Sequence, residues 1–329
     1  MQRRTLIKAA AGAALLGTVR APAVLAQGAW PQQGRTIKVI VPWPPGAAND
    51  ALGRLLAQRL QEKYGVTAVV ENRSGGSGLV GTTAVLQAEP DGYTLLASAF
   101  NTAVMPFILK GATFDPQVDL EVMARTAIAP LVSVMTAQRP QKSLGEMIAA
   151  AKANPRDWLF AISSLGSAGH LATIEFARRT GIPFDLVPYR GTAPALTDIM
   201  SGNVHLLIDP SFALLPAAQD PTRVRALGIA TKARSKLAPD LPTMAESGLP
   251  GYEFNSWYGV WAPKGTPREI SEKVNALIQE TMRDPVVANR LTTTLLEPVI
   301  ESIDDTKRFI ASEITRAGEL LKLVNFQPA

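Results

Sequence analysis

The sequence contains no cysteine, which excludes a disulfide framework, a thiolate metal site and a cysteine nucleophile. It has only two histidines, His170 and His205, with no H-x-x-x-H spacing and no acidic cluster beside them. Imidazole-based metal chemistry therefore has little to build on. The excess of basic charge is local. Of 33 Lys and Arg against 28 Asp and Glu, four (Arg3, Arg4, Lys8 and Arg20) lie near the N-terminus. Without them 29 basic residues face 28 acidic ones, so no broad positive field is left for nucleic acid or an anionic membrane surface. Glycine and proline, 25 each in 329 residues, stand at ordinary levels, which excludes a collagenous or disordered chain. Apolar residues are plentiful. At 47% of this length they suffice for two lobes, each with its own core.

The N-terminal charges belong to a pattern. Gln2-Arg3-Arg4-Thr5-Leu6-Ile7-Lys8 is a paired-arginine segment, followed by an eleven-residue apolar stretch from Ala9 to Val19, too short to span a bilayer. Val24-Leu25-Ala26 places small residues at the positions a signal peptidase requires. Residues 1–26 therefore read as a twin-arginine-like signal peptide cleaved near Ala26. The mature chain is expected to be periplasmic, with no direct membrane insertion.

Beyond Gln27 the sequence alternates strand and helix signals. Thr36–Val41 is a β-branched run, followed by a turn-rich loop and by Leu52, Leu55, Leu56 and Leu60 at helical spacing, with Asn49 or Asp50 as cap. Strands are expected at Ala68–Glu71, Tyr93–Ala99, Phe160–Ser163, Phe184–Pro188, Val204–Ile208 and Tyr252–Ala262. Helices are expected near Val80–Ala88, from a Ser143/Glu146 capping box to Ala153, over Ala168–Thr180 before Gly181, and from Pro194 to Gly202. Thr266 and Pro267 should cap another helix, with Ile270, Val274, Leu277 and Ile278 on its buried face. This βαβ rhythm predicts an α/β fold with mainly parallel sheets covered by helices.

Sequence motifs for catalysis are incomplete. Gly76-Ser77-Gly78-Leu79-Val80-Gly81 matches G-x-G-x-x-G, but the next strand ends Ala97-Ser98-Ala99-Phe100 without the acid a dinucleotide ribose needs. Ser77 and Ser167 each lack one glycine of the G-x-S-x-G elbow. What stands out instead is a set of small-residue loops, each after a strand and before a helix: Pro42–Asp50, Ser98–Thr102, Ser163–His170 and Tyr189–Pro194. Such loops gather at the carboxyl ends of strands, where helix N-termini and hydroxyls suit an anion. They supply no activated nucleophile, which favours binding over catalysis. An exported hydrolase or lyase is the alternative, with Asp50, Asp209 and His170 as its only acid or base candidates.

At these loops the chain resembles the Bug receptor family, the periplasmic solute-binding proteins of tripartite tricarboxylate transporters. The resemblance rests on Val41-Pro42-Trp43-Pro44-Pro45-Gly46-Ala47-Ala48-Asn49-Asp50, Pro90-Asp91-Gly92-Tyr93, Gly166-Ser167-Ala168-Gly169-His170 and Val187-Pro188-Tyr189-Arg190-Gly191-Thr192-Ala193-Pro194. It implies a two-lobed periplasmic binding protein of the type II, Venus-flytrap kind. Lobe 1 would be discontinuous, residues 36–129 and 252–329, with lobe 2 over 130–251. A small organic carboxylate would lie between them, partly bridged by water. The binding set this implies is Trp43, Pro45, Gly46, Ala47, Ala48, Asp50, Ser98 and Asn101, facing Ser164, Ser167, Ala168, His170, Tyr189, Gly191, Thr192 and Asp209. Asp209 would meet an amino or hydroxyl group of the ligand. The implied partners are membrane permease subunits or a sensor kinase, with no cofactor, no metal and a monomeric state.

Overall fold

The computed structural model describes Trp30–Ala329, so the signal peptide expected over Met1–Ala26 lies outside the described residues. The first stretch runs β1 (Ile37–Val41), α1 (Ala48–Tyr64), β2 (Ala68–Asn72), α2 (Leu79–Leu86), β3 (Thr94–Ala99) and α3 (Phe100–Ile108). A long strand, β4 (Leu120–Thr136), leads into α4 (Leu144–Ala153), β5 (Leu159–Ile162), α5 (Ala168–Thr180), β6 (Asp185–Pro188), α6 (Thr192–Met200), β7 (Leu206–Pro210), α7 (Ser211–Ala217) and β8 (Val224–Ile229). The chain then returns through β9 (Asn255–Pro263), α8 (Arg268–Arg283), α9 (Pro285–Thr292), β10 (Glu297–Pro298) and α10 (Ile303–Leu323).

The sheet order is β2-β1-β3-β9-β4-β7-β5-β6, with β8 and β10 also pairing to β4. The expected parallel pairing holds at both ends, in β2-β1-β3 and in β7-β5-β6. Between them the pairing is antiparallel, because β4 and β9 run through the middle in opposite directions. The sheets are therefore mixed and not mainly parallel. β4 changes partner along its length: Leu120–Pro130 pairs with β9, and Leu131–Thr136 with β7 and β8. Pro130 sits at the change, where its missing N–H is tolerated. Sequence spacing does not reveal the first half of this strand, since Leu120–Ala129 holds three Ala together with Leu, Glu, Met and Arg, residues that favour helices.

Helix boundaries refine the expected caps. α1 begins at Ala48, before Asn49 and Asp50, and no side chain caps it. Ser143 does accept the Glu146 amide, while the Glu146 carboxylate reaches back to the Lys142 amide, one residue beyond a capping box. α6 starts at Thr192, two residues before Pro194. Thr266 donates its hydroxyl to the Pro263 carbonyl and does not cap α8. α5 runs over the expected residues, with Gly181 in the left-handed conformation closing it. The expected face of α8 is buried at Ile270, Val274, Leu277 and Ile278, and α8 packs on β4.

α5 approaches β7 closely at Gly169. A Cβ there would overlap the Ile208 carbonyl oxygen and lie 2.7 Å from Asp209 Oδ1. Gly169→Ala should destabilise the protein by ~1–3 kcal/mol through overpacking. Gly145→Ala, on the exposed face of α4 with nothing near its Cβ position, should instead stabilise it by ~0.4–1 kcal/mol. Urea midpoints for the two variants should move in opposite directions.

Candidate functional site

A cleft of about 780 Å³, measured to its open mouth, is bordered by residues from both ends of the sheet. Helices α1, α3, α5, α6 and α7 all begin at it. Each helix start leaves amides without intrahelical acceptors and carries a partial positive charge. Only α5 has a side-chain cap, Ser167 accepting the His170 amide at 3.0 Å; α1, α3, α6 and α7 have none. Uncapped amides facing a cleft suit an anion.

The first wall is the loop from Trp43 to Ala48. Its shape is set from behind. Asp50 accepts the Gly46 amide at 3.2 Å and Arg54 Nε at 3.0 Å, and Asn72 bridges Asp50 and the Trp43 carbonyl at 2.9 and 3.0 Å. These donors hold the Asp50 carboxyl below its ordinary range in spite of its burial. Asp50 is thus a clamp behind the loop and does not border the cleft. Because Asp50 takes the Gly46 amide and Pro45 has none, the backbone donors left to a ligand begin at Ala47 and Ala48. The glycine motif belongs to the same support. Gly78 adopts φ +96°, and a Cβ on it would stand 3.0 Å from the Trp43 ring; one on Gly81 would stand 2.7 Å from the Pro42 ring. The motif lets α2 press against the loop, which accounts for its glycines without a nucleotide.

The opposite wall comes from the loops after β5, β6 and β7. Ser163, Ser164, Ser167 and Ala168 border the cleft, as do Gly191, Thr192 and Asp209. Asn101, at the start of α3, donates to Ser164 Oγ at 3.1 Å and joins the two walls. Asp209 is 1% exposed. Its Oδ1 accepts from Ser163 Oγ at 2.8 Å and its Oδ2 from Thr192 Oγ1 at 2.5 Å. The Thr192 hydroxyl is therefore committed to Asp209, whereas the hydroxyl protons of Ser164 and Ser167 can still turn to a ligand.

Of the sixteen expected residues, Trp43, Pro45, Gly46, Ala47, Ala48, Asn101, Ser164, Ser167, Ala168, Gly191, Thr192 and Asp209 border the cleft. Asp50, Ser98, His170 and Tyr189 do not. Ser98 is buried and accepts from Thr102 Oγ1 at 2.8 Å. His170 is buried beneath its loop, where Nδ1 accepts the Gly166 amide at 3.0 Å; burial pulls its pKa down to about 4. A neutral ring that accepts a backbone amide shapes the loop and cannot serve as a cationic partner. Tyr189 turns onto α6 and donates to Asp198 at 2.6 Å. Sequence reasoning missed Ser256 and Tyr258 on β9, Phe212 and Ala213 on α7, and Arg190, which all border the cleft. Burial and the nearby Asp209 charge keep the Tyr258 phenol protonated well above its ordinary range. Ser256 and Tyr258 alternate on one strand face, but nothing local in the sequence aims that face at the cleft. Among the described residues, no group of three or more His, Asp or Glu is placed to hold a metal.

Burial pushes the Asp209 pKa up to about 6, against the two hydroxyl donors that lower it. The folded state then binds more protons than the unfolded one between pH ~4 and ~6, so this group's contribution to stability falls as pH rises through that window. The stability of the wild type relative to Asp209→Asn should decline by ~2 kcal/mol from pH 4 to pH 6.5 and level off above it. Chemical denaturation of both proteins across pH 4–8 measures this, and a flat difference would contradict it.

A family model described as the tripartite tricarboxylate transporter family receptor matches residues 52–326. Protein BugT of Bordetella pertussis is 37% identical over 284 residues, covering 86% of this chain and 87% of its own. A UPF0065 protein of Pseudomonas sp. strain P51 is 36% identical over 260 residues, 78% of this chain and 76% of its own. Among solved structures, R. palustris Rpa4515 with adipate superposes with a TM-score of 0.87 at 34% identity, over 91% of this chain and all of that one. MatC from Rhodopseudomonas palustris with bound malate gives 0.80 at 27% identity, over 88% and 99%. The structure of periplasmic binding protein BugD superposes with a TM-score of 0.84 at 28% identity, over 91% of this chain and all of that one, so the fold is that of a periplasmic binding protein. The chain belongs to the tripartite tricarboxylate transporter receptor family.

Proposed function

We propose that the protein is an exported solute receptor that captures a small carboxylate in the cleft and delivers it to the permease subunits of a tripartite transporter. The observation that carries this reading is the convergence of uncapped helix starts and hydroxyls on one cleft. These are donors fitted to an anion without a nucleophile beside them. Family membership and the adipate and malate of two structural relatives support the same ligand class. The paired-arginine segment and Val24-Leu25-Ala26 support export with cleavage near Ala26.

The lobes of the receptor would be residues 36–129 with 252–329, and residues 130–251. The partner change of β4 at Pro130–Leu131 supports the first crossing, and the pairing of β9 with β3 and with the first half of β4 from Asn255 onward supports a return to lobe 1 near the second. Closing the lobes around a ligand brings the α1 loop against the loops after β5 and β6. Binding of this kind stabilises the folded state by mass action.

A carboxylate at 100 times its dissociation constant should add ~2.7 kcal/mol to stability. Thermal shift screening of C3–C8 mono- and dicarboxylates on the mature protein should find at least one that raises Tm. Neutral sugars and basic amino acids should leave it unchanged. If a sugar or a cation stabilises the protein and no carboxylate does, the reading is wrong.

A further inference from the structure

α9 ends in a turn that reaches from one half of the molecule into the other. The Leu295 amide donates to the Thr292 carbonyl at 2.9 Å and the Leu296 amide to the Leu291 carbonyl at 3.1 Å, the paired bonds of a Schellman cap. Such a cap needs a left-handed residue, and Leu295 supplies it with φ +58°. Glycine is the usual choice there, because a Cβ crowds the following carbonyl oxygen. Ser77 and Asn325 are the other non-glycine residues with positive φ among the described residues, and neither is buried. Leu295 is 6% exposed. What a leucine adds at this position is its side chain. It joins the apolar cluster of Val132, Ile199, Leu207, Leu214 and Ile229, whose other buried members all lie between residues 130 and 251.

A hydrogen bond doubles the tie. Ser211, the buried first residue of α7, donates its hydroxyl to the Thr294 carbonyl at 2.9 Å. Two residues after Leu295 the chain is back on the other side. Glu297 and Pro298 pair with Ile128 and Ala127 of β4, and the Val299 amide donates to the Thr126 carbonyl. Bending at Pro130–Leu131 would therefore draw Leu295 out of its cluster, while Glu297 stays with the first half of β4. Exposing a leucine to water resists that motion. The left-handed backbone offsets part of the resistance, so the tie can release. Its effect reaches the cleft through α7, since Pro210, Phe212 and Ala213 border it.

We propose that Leu295 is a releasable pin between the two lobes, favouring their closed arrangement before any ligand enters. This assignment rests on the two-lobed reading above. A ligand gripped by both walls binds the closed form, so the pin raises apparent affinity in proportion to the closed fraction.

The test needs no ligand. The chain has no cysteine, so introduced cysteine pairs carry spin labels without background. Q58C with T197C, at exposed positions, reads the distance between lobes; Q58C with T315C and K152C with T197C read within each lobe. The mature protein is first unfolded and refolded to strip any carried ligand. In L295A and L295G the longer interlobe distance should gain roughly tenfold over the shorter one, with both intralobe distances unchanged. N101A, which removes the bond from Asn101 to Ser164 across the cleft and keeps the pin, is the control for lobe motion. L295G should melt no lower than L295A, because glycine is at ease in a left-handed turn; a lower Tm for L295G overturns the release by strain. Interlobe distances that widen in N101A but in neither Leu295 variant overturn the pin and leave the two lobes standing. Intralobe distances that shift with the interlobe one, or no widening in any of the three variants, overturn the lobe division and the pin together.

Discussion

The site is organised around a buried carboxylate that must be satisfied. Asp209 ends β7 with almost no access to water, and an unpaired charge in such a place would cost several kcal/mol. Ser163, from the loop after β5, and Thr192, the first residue of α6, meet that need. In doing so they fix the relative positions of three consecutive strand-to-helix junctions. Gly169 completes the arrangement, because only a residue without a Cβ lets the start of α5 lie against Ile208 and Asp209. The second wall of the cleft thus takes its shape from one anion that the ligand itself need not touch.

The first wall is built on the same principle with a different outcome. Asp50 also gathers donors, from Gly46, Arg54 and Asn72, but it stands behind its loop and keeps a low pKa. One acid lies behind the loop and the other at the cleft, and both are consumed by protein donors. What is left open to a ligand is therefore positive in character: amides at Ala47 and Ala48, hydroxyls at Ser164 and Ser167, and the guanidinium of Arg190. The positive character of the cleft arises from what the acids occupy as much as from the bases present.

Much of the fold is legible in the order of the residues. The βαβ units from β1 to β3 and from β5 to β7 follow from apolar runs, helical spacing and glycine stops, all local signals. β4 is not legible in this way, because its first half is written in helix-forming residues and becomes a strand only through its pairing with β9. The mixed character of the sheet is hidden for the same reason, since β4 and β9 supply its antiparallel centre. The loops of the site are legible as loops. Which of their residues face the cleft is not: His170 and Tyr189 stand in the right segments and point elsewhere.

Residue order and composition settle the class of protein: an α/β chain with no thiol chemistry and with small-residue loops placed at helix starts. These properties depend on composition and on spacing within a few residues, so they hold whatever the path of the chain. The division of the polar groups between scaffold and ligand is a different matter, and it comes from the folded arrangement alone. Thr192, Gly46 and Asp50 look like binding residues along the chain, yet each has a partner supplied from four or more residues away. Arg190, beside Thr192 in sequence, is left without one. A hydrogen bond is a property of two groups, and the second group is known only when the chain has folded.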